Sequence, residues 1–137
     1  MSNTINIFNS TEKRYLPLKK IEDIANEIFK EYQINNANLN IIFLSDAEIQ
    51  KINKQFLDHN YTTDVISFNF DEKDLEGEVY ISIDTAERQA IEYKVSLTNE
   101  VLRLTAHGIL HLLGYEDDTV DKKEKMHNLE EKFLQKI

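Results

Sequence analysis

Cysteine is absent from this chain of 137 residues, and no apolar run approaches the length needed to cross a bilayer. Without cysteine the chain forms no disulfide bond and offers no thiolate to a metal, which fits a reducing compartment. Its first residues lack the basic region and the apolar stretch of a signal peptide. We therefore expect a cytoplasmic protein with a single domain over residues 1–137, long enough to bury a core of its own.

Positive charge is also scarce, since 16 Lys and Arg face 25 Asp and Glu and the formal net charge is −9. A chain with this charge repels nucleic acid as a whole, so any binding of RNA requires a local basic patch or a partner protein. Lys122, Lys123 and Lys125 form a small basic cluster. Such a cluster is more typical of a solvated helix face than of an RNA contact.

Hydrophobic periodicity predicts an α+β fold with four strands and five helices. The predicted strands are residues 4–9, 39–44, 64–70 and 79–83. The first predicted helix covers residues 18–33, and the second begins at the capping box Ser45–Glu48. The third begins at Asp84 or Thr85, the fourth runs from Ser96 or Thr98 to Leu113, and the fifth begins near Val120. Strands linked by a helix favour parallel pairing, and the last two strands, linked by a loop over 71–78, favour antiparallel pairing. We expect a mixed four-stranded sheet packed with helices, and the fourth helix, apolar on most sides, in its centre.

Two of the four histidines are four residues apart in that fourth helix. This spacing places the rings of His107 and His111 on one face of the helix, one turn apart. Gly114 suits a left-handed cap that ends the helix, and the reversed chain can bring Asp117 back toward the two rings. Two imidazoles and one carboxylate make a divalent metal site with an open position, as catalytic sites require. The sequence thus predicts His107, His111 and Asp117 as metal ligands on a zincin-like helix.

The pattern His-x-x-x-His-x-x-Gly-x-x-Asp is close to the metzincin zinc signature, except that Gly108 replaces the Glu that serves there as general base. A metallopeptidase is therefore an alternative that the missing Glu weighs against. Glycine within a helix costs roughly 1 kcal/mol relative to alanine, so we expect a close approach of substrate or backbone at Gly108. An iron site with two His and one carboxylate also fits the ligand set, but no other feature favours it.

Polar residues around the motif are candidates for catalytic roles. Glu116 precedes the third ligand and is a candidate general base. Arg103 lies one turn before His107 and is a candidate phosphate ligand, with a salt bridge to Glu100 as the alternative. Candidates for orienting the ligands are Thr63, Asp64 and Ser67, with turn capping by Thr63 and Asp64 as the alternative. Histidines expected at the surface are His59 and His127.

The run from His107 to Asp117 resembles the signature of the YbeY family of bacterial rRNA maturation factors, which usually reads His-Gly-x-Leu-His-Leu-x-Gly-Tyr-Asp-His. Residues 61–68, Tyr-Thr-Thr-Asp-Val-Ile-Ser-Phe, are similar to the family's Pro-Thr-Asp-Val-Leu-Ser-Phe. Residues 77–82, Gly-Glu-Val-Tyr-Ile-Ser, are similar to its Gly-Asp-Ile-x-Ile-Ser. The three motifs occur in the family's order, and the resemblance extends roughly from Ile42 to Phe133.

This resemblance implies a YbeY-like metallohydrolase, namely a single-strand-specific, zinc-dependent endoribonuclease that acts in 16S rRNA 3′-end maturation and in ribosome quality control. It implies one zinc, or another divalent transition metal, per chain at His107, His111 and Asp117. The implied partners are rRNA and the small ribosomal subunit, with ribosomal proteins or GTPase assembly factors as further candidates and no membrane.

The sequence departs from the family pattern at two positions. Asp117 stands where the family usually has His, and Leu57 stands where it tends to have Arg after the aromatic residue that corresponds to Phe56. A neutral leucine does not hold a phosphate, so a non-enzymatic ribosome assembly factor is a second alternative.

Overall fold

A computed structural model of the chain describes residues 2–11, 15–57, 64–71 and 74–137, without the side chains of Phe56 and Leu57. Its strands are β1 (Thr4–Asn9), β2 (Asn38–Leu44), β3 (Val65–Asp71) and β4 (Glu76–Ser82), and its helices are α1 (Leu18–Glu31), α2 (Asp46–Leu57), α3 (Ile83–Tyr93), α4 (Leu97–Leu112) and α5 (Val120–Leu134). Among the residues so described, none of the helices has both the length and the apolar character required to span a membrane.

The strands form one mixed sheet in the order β1-β2-β4-β3. Strands β1 and β2 are parallel, as are β2 and β4, whereas β3 and β4 are antiparallel. The predicted mixed sheet and the antiparallel last pair are therefore confirmed. The helix-linked strands β2 and β3 do not pair, however, because β4 lies between them. The helical connection α1 thus joins two parallel neighbours, β1 and β2, whereas the helical connection α2 joins two strands that are not neighbours.

Side chains of the central strands alternate between two hydrophobic layers, as the pleat requires. Leu39, Ile41 and Phe43 of β2 belong to the main core with α1, α4 and α5. Leu44 points to the other face, where it packs with Ile49 of α2 in a smaller cluster. The sheet is therefore covered by helices on both faces, and the main core lies on the face of α4.

Helix α4 is central, as predicted: it contacts α1, α3, α5, β3 and β4. It packs tightly on the sheet at Gly108, where a Cβ atom would lie 2.4 Å from Cγ1 of Val79 and 3.1 Å from Cγ2 of Val65. The side chain of Ser67 on β3 donates a hydrogen bond to the carbonyl oxygen of Gly108 at 2.9 Å. A close approach at Gly108 is thus present, but the nearest atoms belong to valine side chains of the sheet and not to substrate or backbone.

The structure corrects several predicted boundaries. Strand β4 begins at Glu76, so the predicted loop over 71–78 is shorter than expected. Ile83 is not the end of that strand but the first residue of α3, because the Ser82 side chain accepts the N–H of Thr85 and caps the helix. The predicted caps Asp84 and Thr85 are therefore wrong. Ser96 is the cap of α4, which was one of the two predicted positions, while Leu113 lies just beyond the helix end.

The predicted capping box of α2 is present. The backbone N–H of Glu48 donates to Oγ of Ser45 at 3.2 Å, and the backbone N–H of Ser45 donates to the Glu48 carboxylate at 3.2 Å. This reciprocal pair satisfies two donors at the helix start. Asp46 at the same helix start accepts hydrogen bonds from residues of α3 and its cap, so the beginnings of α2 and α3 are joined.

Candidate metal centre

His107, His111 and Asp117 lie together and present their ligand atoms to one point. The Nε2 atoms of the two histidines are 3.0 Å apart. Oδ2 of Asp117 is 3.4 Å from Nε2 of His107, and Oδ1 is 3.7 Å from Nε2 of His111. Ligands around a tetrahedral zinc with bonds of about 2.0–2.1 Å are about 3.3 Å from one another. The three side chains thus fit a divalent metal, and they form a potential metal-binding group.

The end of α4 directs Asp117 back toward the histidines. Gly114 has a φ of +98°, which a residue without Cβ adopts with little strain. The N–H of Tyr115 donates to the carbonyl oxygen of Leu110 at 3.1 Å, and the N–H of Gly114 donates to that of His111 at 3.0 Å. This pair of hydrogen bonds is the Schellman motif. The predicted left-handed cap is confirmed, and the reversal at Gly114 allows Asp117 to approach His107 and His111.

Glu130 of α5 also belongs to the centre, although sequence analysis did not select it. Its Oε2 lies 2.6 Å from Nδ1 of His107, and only 2% of the residue is exposed. The sequence contained a signal for this position, because Glu130 lies among Met126, Leu129 and Phe133 on the apolar stripe of α5. A carboxylate on a buried stripe requires a partner, and here that partner is a metal-ligand candidate.

Arg103 connects this carboxylate to a second buried one. Its Nε and one terminal nitrogen donate to Glu100 at 2.9 and 2.6 Å, and the other terminal nitrogen donates to Glu130 at 3.2 Å. Burial alone would lower the pKa of Arg103, but the two carboxylates outweigh burial and raise it. The salt bridge to Glu100 that was the alternative reading of Arg103 is thus formed. A catalytic role in binding phosphate stays a prediction.

The two histidines differ in their affinity for protons in the metal-free protein. Burial lowers the pKa of His107, but the hydrogen bond to Glu130 and the charges of Glu130, Asp64 and Asp117 outweigh it, and the pKa is raised. Burial and the neighbouring His107 lower the pKa of His111 despite the charge of Asp117. The first proton that the pair takes up therefore goes to His107, and a metal competes with that proton for the site.

Glu116, the predicted general base, lies beside the centre and points to solvent. Its side chain is 63% exposed and accepts a hydrogen bond from Lys122 at 3.2 Å. Lys122 also pairs with Asp118 at 3.4 Å, so this lysine of the predicted basic cluster has acidic partners. The role of Glu116 as a base stays a prediction.

The other polar candidates have different fates. The side chain of Ser67 donates its hydrogen bond to a backbone carbonyl of α4. Asp64 lines the cavity at His107. His127 is at the surface, as expected, with a side chain that is 61% exposed. Thr63 and His59 lie outside the described residues, as does the side chain of Leu57.

A cavity of about 270 Å³ opens beside the metal-binding group and is lined by His107, Asp117 and Asp64, among others. A second cavity of about 480 Å³ shares Tyr93, Arg103 and His127 with it. The two cavities therefore adjoin on the side of the metal-binding group that His107 and Asp117 line.

Comparison with known proteins gives one consistent result. The family model described as "Endoribonuclease YbeY" matches residues 6–137. A protein named Endoribonuclease YbeY from Chloroherpeton thalassium is 38% identical over 129 residues, covering 93% of this chain and 92% of its own. One of the same name from Chlorobium limicola is 36% identical over 131 residues, covering 95% and 90%.

A solved structure agrees with these sequence matches. The solution structure of a Thermotoga maritima protein superimposes with a TM-score of 0.66 at 27% identity, and the match covers 96% of this chain and 87% of that one. The fold, the metal-ligand motif and the matched length therefore lead to one assignment: the chain belongs to the endoribonuclease YbeY family.

Proposed function

We propose that this chain is a metal-dependent endoribonuclease that cleaves single-stranded RNA. The observation that carries the proposal is the convergence of His107, His111 and Asp117 on one point beside a cavity, in a member of a family whose relatives are named endoribonucleases. Three protein ligands leave a coordination position for water or substrate, which distinguishes a catalytic metal site from a structural one.

Zinc is the proposed metal, because two imidazole nitrogens and a carboxylate oxygen are ordinary zinc ligands. A divalent metal at this position supplies a Lewis acid for a phosphoryl oxygen and lowers the pKa of water. The residues of the chain hold and orient it: His107 and His111 through their Nε2 atoms, and Asp117 through its carboxylate. Asp117 brings one more negative charge than the histidine usual in the family, which disfavours an anionic substrate.

The surroundings of Gly108 weigh against the metallopeptidase alternative. The peptidases of this spacing use a Glu directly after the first His. Here that position is Gly108, and a Cβ atom would already lie 2.4 Å from Val79, so a Glu side chain has no room. A carboxylate that serves as general base therefore does not come from this position of α4. Asp64, which lines the cavity, and Glu116 are the candidates within the part of the chain described.

The proposed substrate is the 3′ end of 16S rRNA, presented by the small ribosomal subunit in the cytoplasm during maturation and quality control. The net charge of −9 supports presentation by a partner, because an acidic chain gains little from the phosphate backbone on its own. Ribosomal proteins or a GTPase assembly factor are the proposed partners. We expect weak binding of free RNA that falls steeply with salt.

The test is to incubate the metal-loaded protein with single-stranded RNA, with small-subunit particles and with an unfolded protein. His111→Ala is the inactive variant, and Glu22→Ala is the control, since Glu22 is an exposed residue of α1 that lines neither of the two cavities. We expect RNA or particle cleavage by the wild type and by Glu22→Ala, and none by His111→Ala.

The outcomes separate the alternatives. Cleavage of the unfolded protein with RNA and particles intact would replace the proposal by the peptidase. Normal metal content with no cleavage of any of the three substrates would favour the non-enzymatic assembly factor, for which the departure at Leu57 is the supporting observation.

A further inference from the structure

A buried chain of charged side chains leads from the metal-binding group into the core. Glu100 binds Arg103, Arg103 binds Glu130, and Glu130 binds His107, with donor–acceptor distances of 2.6, 3.2 and 2.6 Å. Glu100 and Glu130 are only 1% and 2% exposed. This series of contacts connects Glu130 of α5 with Glu100 at the beginning of α4 and with the ring of His107 further along α4.

The contact between Glu130 and His107 determines which nitrogen of the ring faces the metal position. A carboxylate accepts hydrogen bonds, so a neutral His107 carries its proton on Nδ1 and donates it to Oε2 of Glu130. Nε2 is then free of a proton, and its lone pair points toward Asp117 and His111, at 3.4 and 3.0 Å. The opposite tautomer would leave Nδ1 and the carboxylate facing each other without a proton between them.

Arg103 and Glu100 make this carboxylate tolerable in the core. A buried, unpaired carboxylate is costly, and Arg103 neutralises Glu130 while its other nitrogens are held by Glu100. Two carboxylates and one guanidinium leave one net negative charge beside His107. That charge favours a cation at the other side of the ring, and it is screened little at this depth.

We infer that Glu130, held by Arg103 and Glu100, is the positioning residue of the metal centre: it fixes the tautomer and the ring orientation of His107 and so strengthens binding of a divalent metal. The inference rests on the metal-binding part of the proposed function and does not require that RNA be the substrate. Carboxylate partners of metal-bound histidines typically change metal affinity by about 10–100-fold.

The first test measures metal affinity without any substrate. Metal-free full-length wild type, Glu130→Gln, Glu130→Ala and Glu131→Gln compete with a chromogenic chelator for Zn²⁺ at fixed pH. Glu131 is the matched control, because it is the next residue of α5 and is exposed. We expect the affinity to fall by about 10–100-fold in Glu130→Ala and by less in Glu130→Gln, which keeps an acceptor for Nδ1–H. Glu131→Gln should bind like the wild type.

Thermal unfolding of each metal-free variant distinguishes positioning from a purely structural role. A structural ion pair would lower the unfolding temperature and leave the affinity of the folded fraction unchanged. Equal Zn²⁺ affinity in the wild type and in both folded Glu130 variants would overturn the inference.

A second measurement needs no variant and therefore does not depend on whether those variants fold. Nitrogen-15 NMR of the wild-type, metal-free protein, at a pH where His107 is neutral, reports which ring nitrogen carries the proton. We expect the proton on Nδ1, and a proton on Nε2 would refute the inference. Absence of RNA cleavage with both results as expected would count against the proposed substrate and leave the positioning role intact.

Discussion

Replacing Gly108 by alanine tests the contact between the metal-ligand helix and the sheet. In an isolated helix this change stabilises by about 1 kcal/mol. In this protein the new Cβ would lie 2.4 Å from Cγ1 of Val79, whereas carbon atoms in contact are normally about 3.5–4.0 Å apart. Val79 is fully buried, and its branched side chain has little rotamer freedom. Either α4 moves outward or Val79 leaves its rotamer.

Such overpacking costs about 1–3 kcal/mol, which exceeds the gain in helix propensity. We expect Gly108→Ala to lower the free energy of unfolding by roughly 1 kcal/mol, or the unfolding temperature by roughly 2–4 °C for a domain of this size. Chemical denaturation of the metal-free protein gives the free energy directly, since a bound metal would add its own stabilisation.

A double-mutant cycle with Val79→Ala identifies the cause. Without the methyl groups of Val79, the nearest remaining atom is Cγ2 of Val65, 3.1 Å from the new Cβ. The Gly108→Ala step should then become neutral or stabilising, so that the two substitutions couple by about 1–2 kcal/mol. An equal cost of Gly108→Ala in both backgrounds, or a gain in stability in the wild type, would refute the packing argument.

Three further predictions concern the metal and the joined helix starts. Elemental analysis should find one transition-metal ion per wild-type chain, loss of the ion in His111→Ala and retention in His127→Ala. Metal binding should weaken in acid, because the ligands must lose protons to bind the ion. Full occupancy in His111→Ala would contradict the ligand assignment. Asp117→His should keep the metal, because imidazole is an equally ordinary third ligand, and loss of metal would show that Asp117 is not one. Asp46→Asn should lower the unfolding free energy by about 1–3 kcal/mol, with the exposed Asp121→Asn as a control that changes it by less than about 1 kcal/mol. Burial raises the pKa of Asp46, but hydrogen bonds from three donors at the start of α3 outweigh burial and lower it. The contribution of the Asp46 carboxylate to stability is therefore present above its ordinary pKa of 3.8 and is lost as the pH falls through the lower pKa of the folded protein. An equal difference in unfolding free energy between Asp46→Asn and the wild type at all pH values would contradict this.

The position of Asp117 shows how far local sequence determines the metal-binding group. The spacing of His107 and His111 within a helix and the glycine that ends it are properties of consecutive residues, because helix geometry and the left-handed cap depend on the local backbone. The ligand group was accordingly predictable from eleven consecutive residues, and the structure brings all three side chains together. The element types were predictable for the same reason, since periodicity is a local signal.

Boundaries and strand order depended on contacts that the local sequence does not contain. The cap of α3 is Ser82 because that residue lies at the end of β4, and periodicity alone does not distinguish Ser82 from Asp84 as the cap. The insertion of β4 between β2 and β3 follows from which strands can bury their apolar faces together. A helical connection restricts the direction of the next strand but does not choose its neighbour.

Sequence by itself thus determined the potential metal-binding group, and tertiary structure decided which residues support it. Glu130 lies 23 residues from His107 along the chain, and only the packing of α5 against α4 brings its carboxylate to Nδ1. The reason for Gly108 is likewise the valine of a neighbouring strand, which no pattern within α4 contains. Local geometry can assemble an i, i+4 pair of ligands, whereas buried charges and close contacts are satisfied by whichever distant residue the fold places beside them.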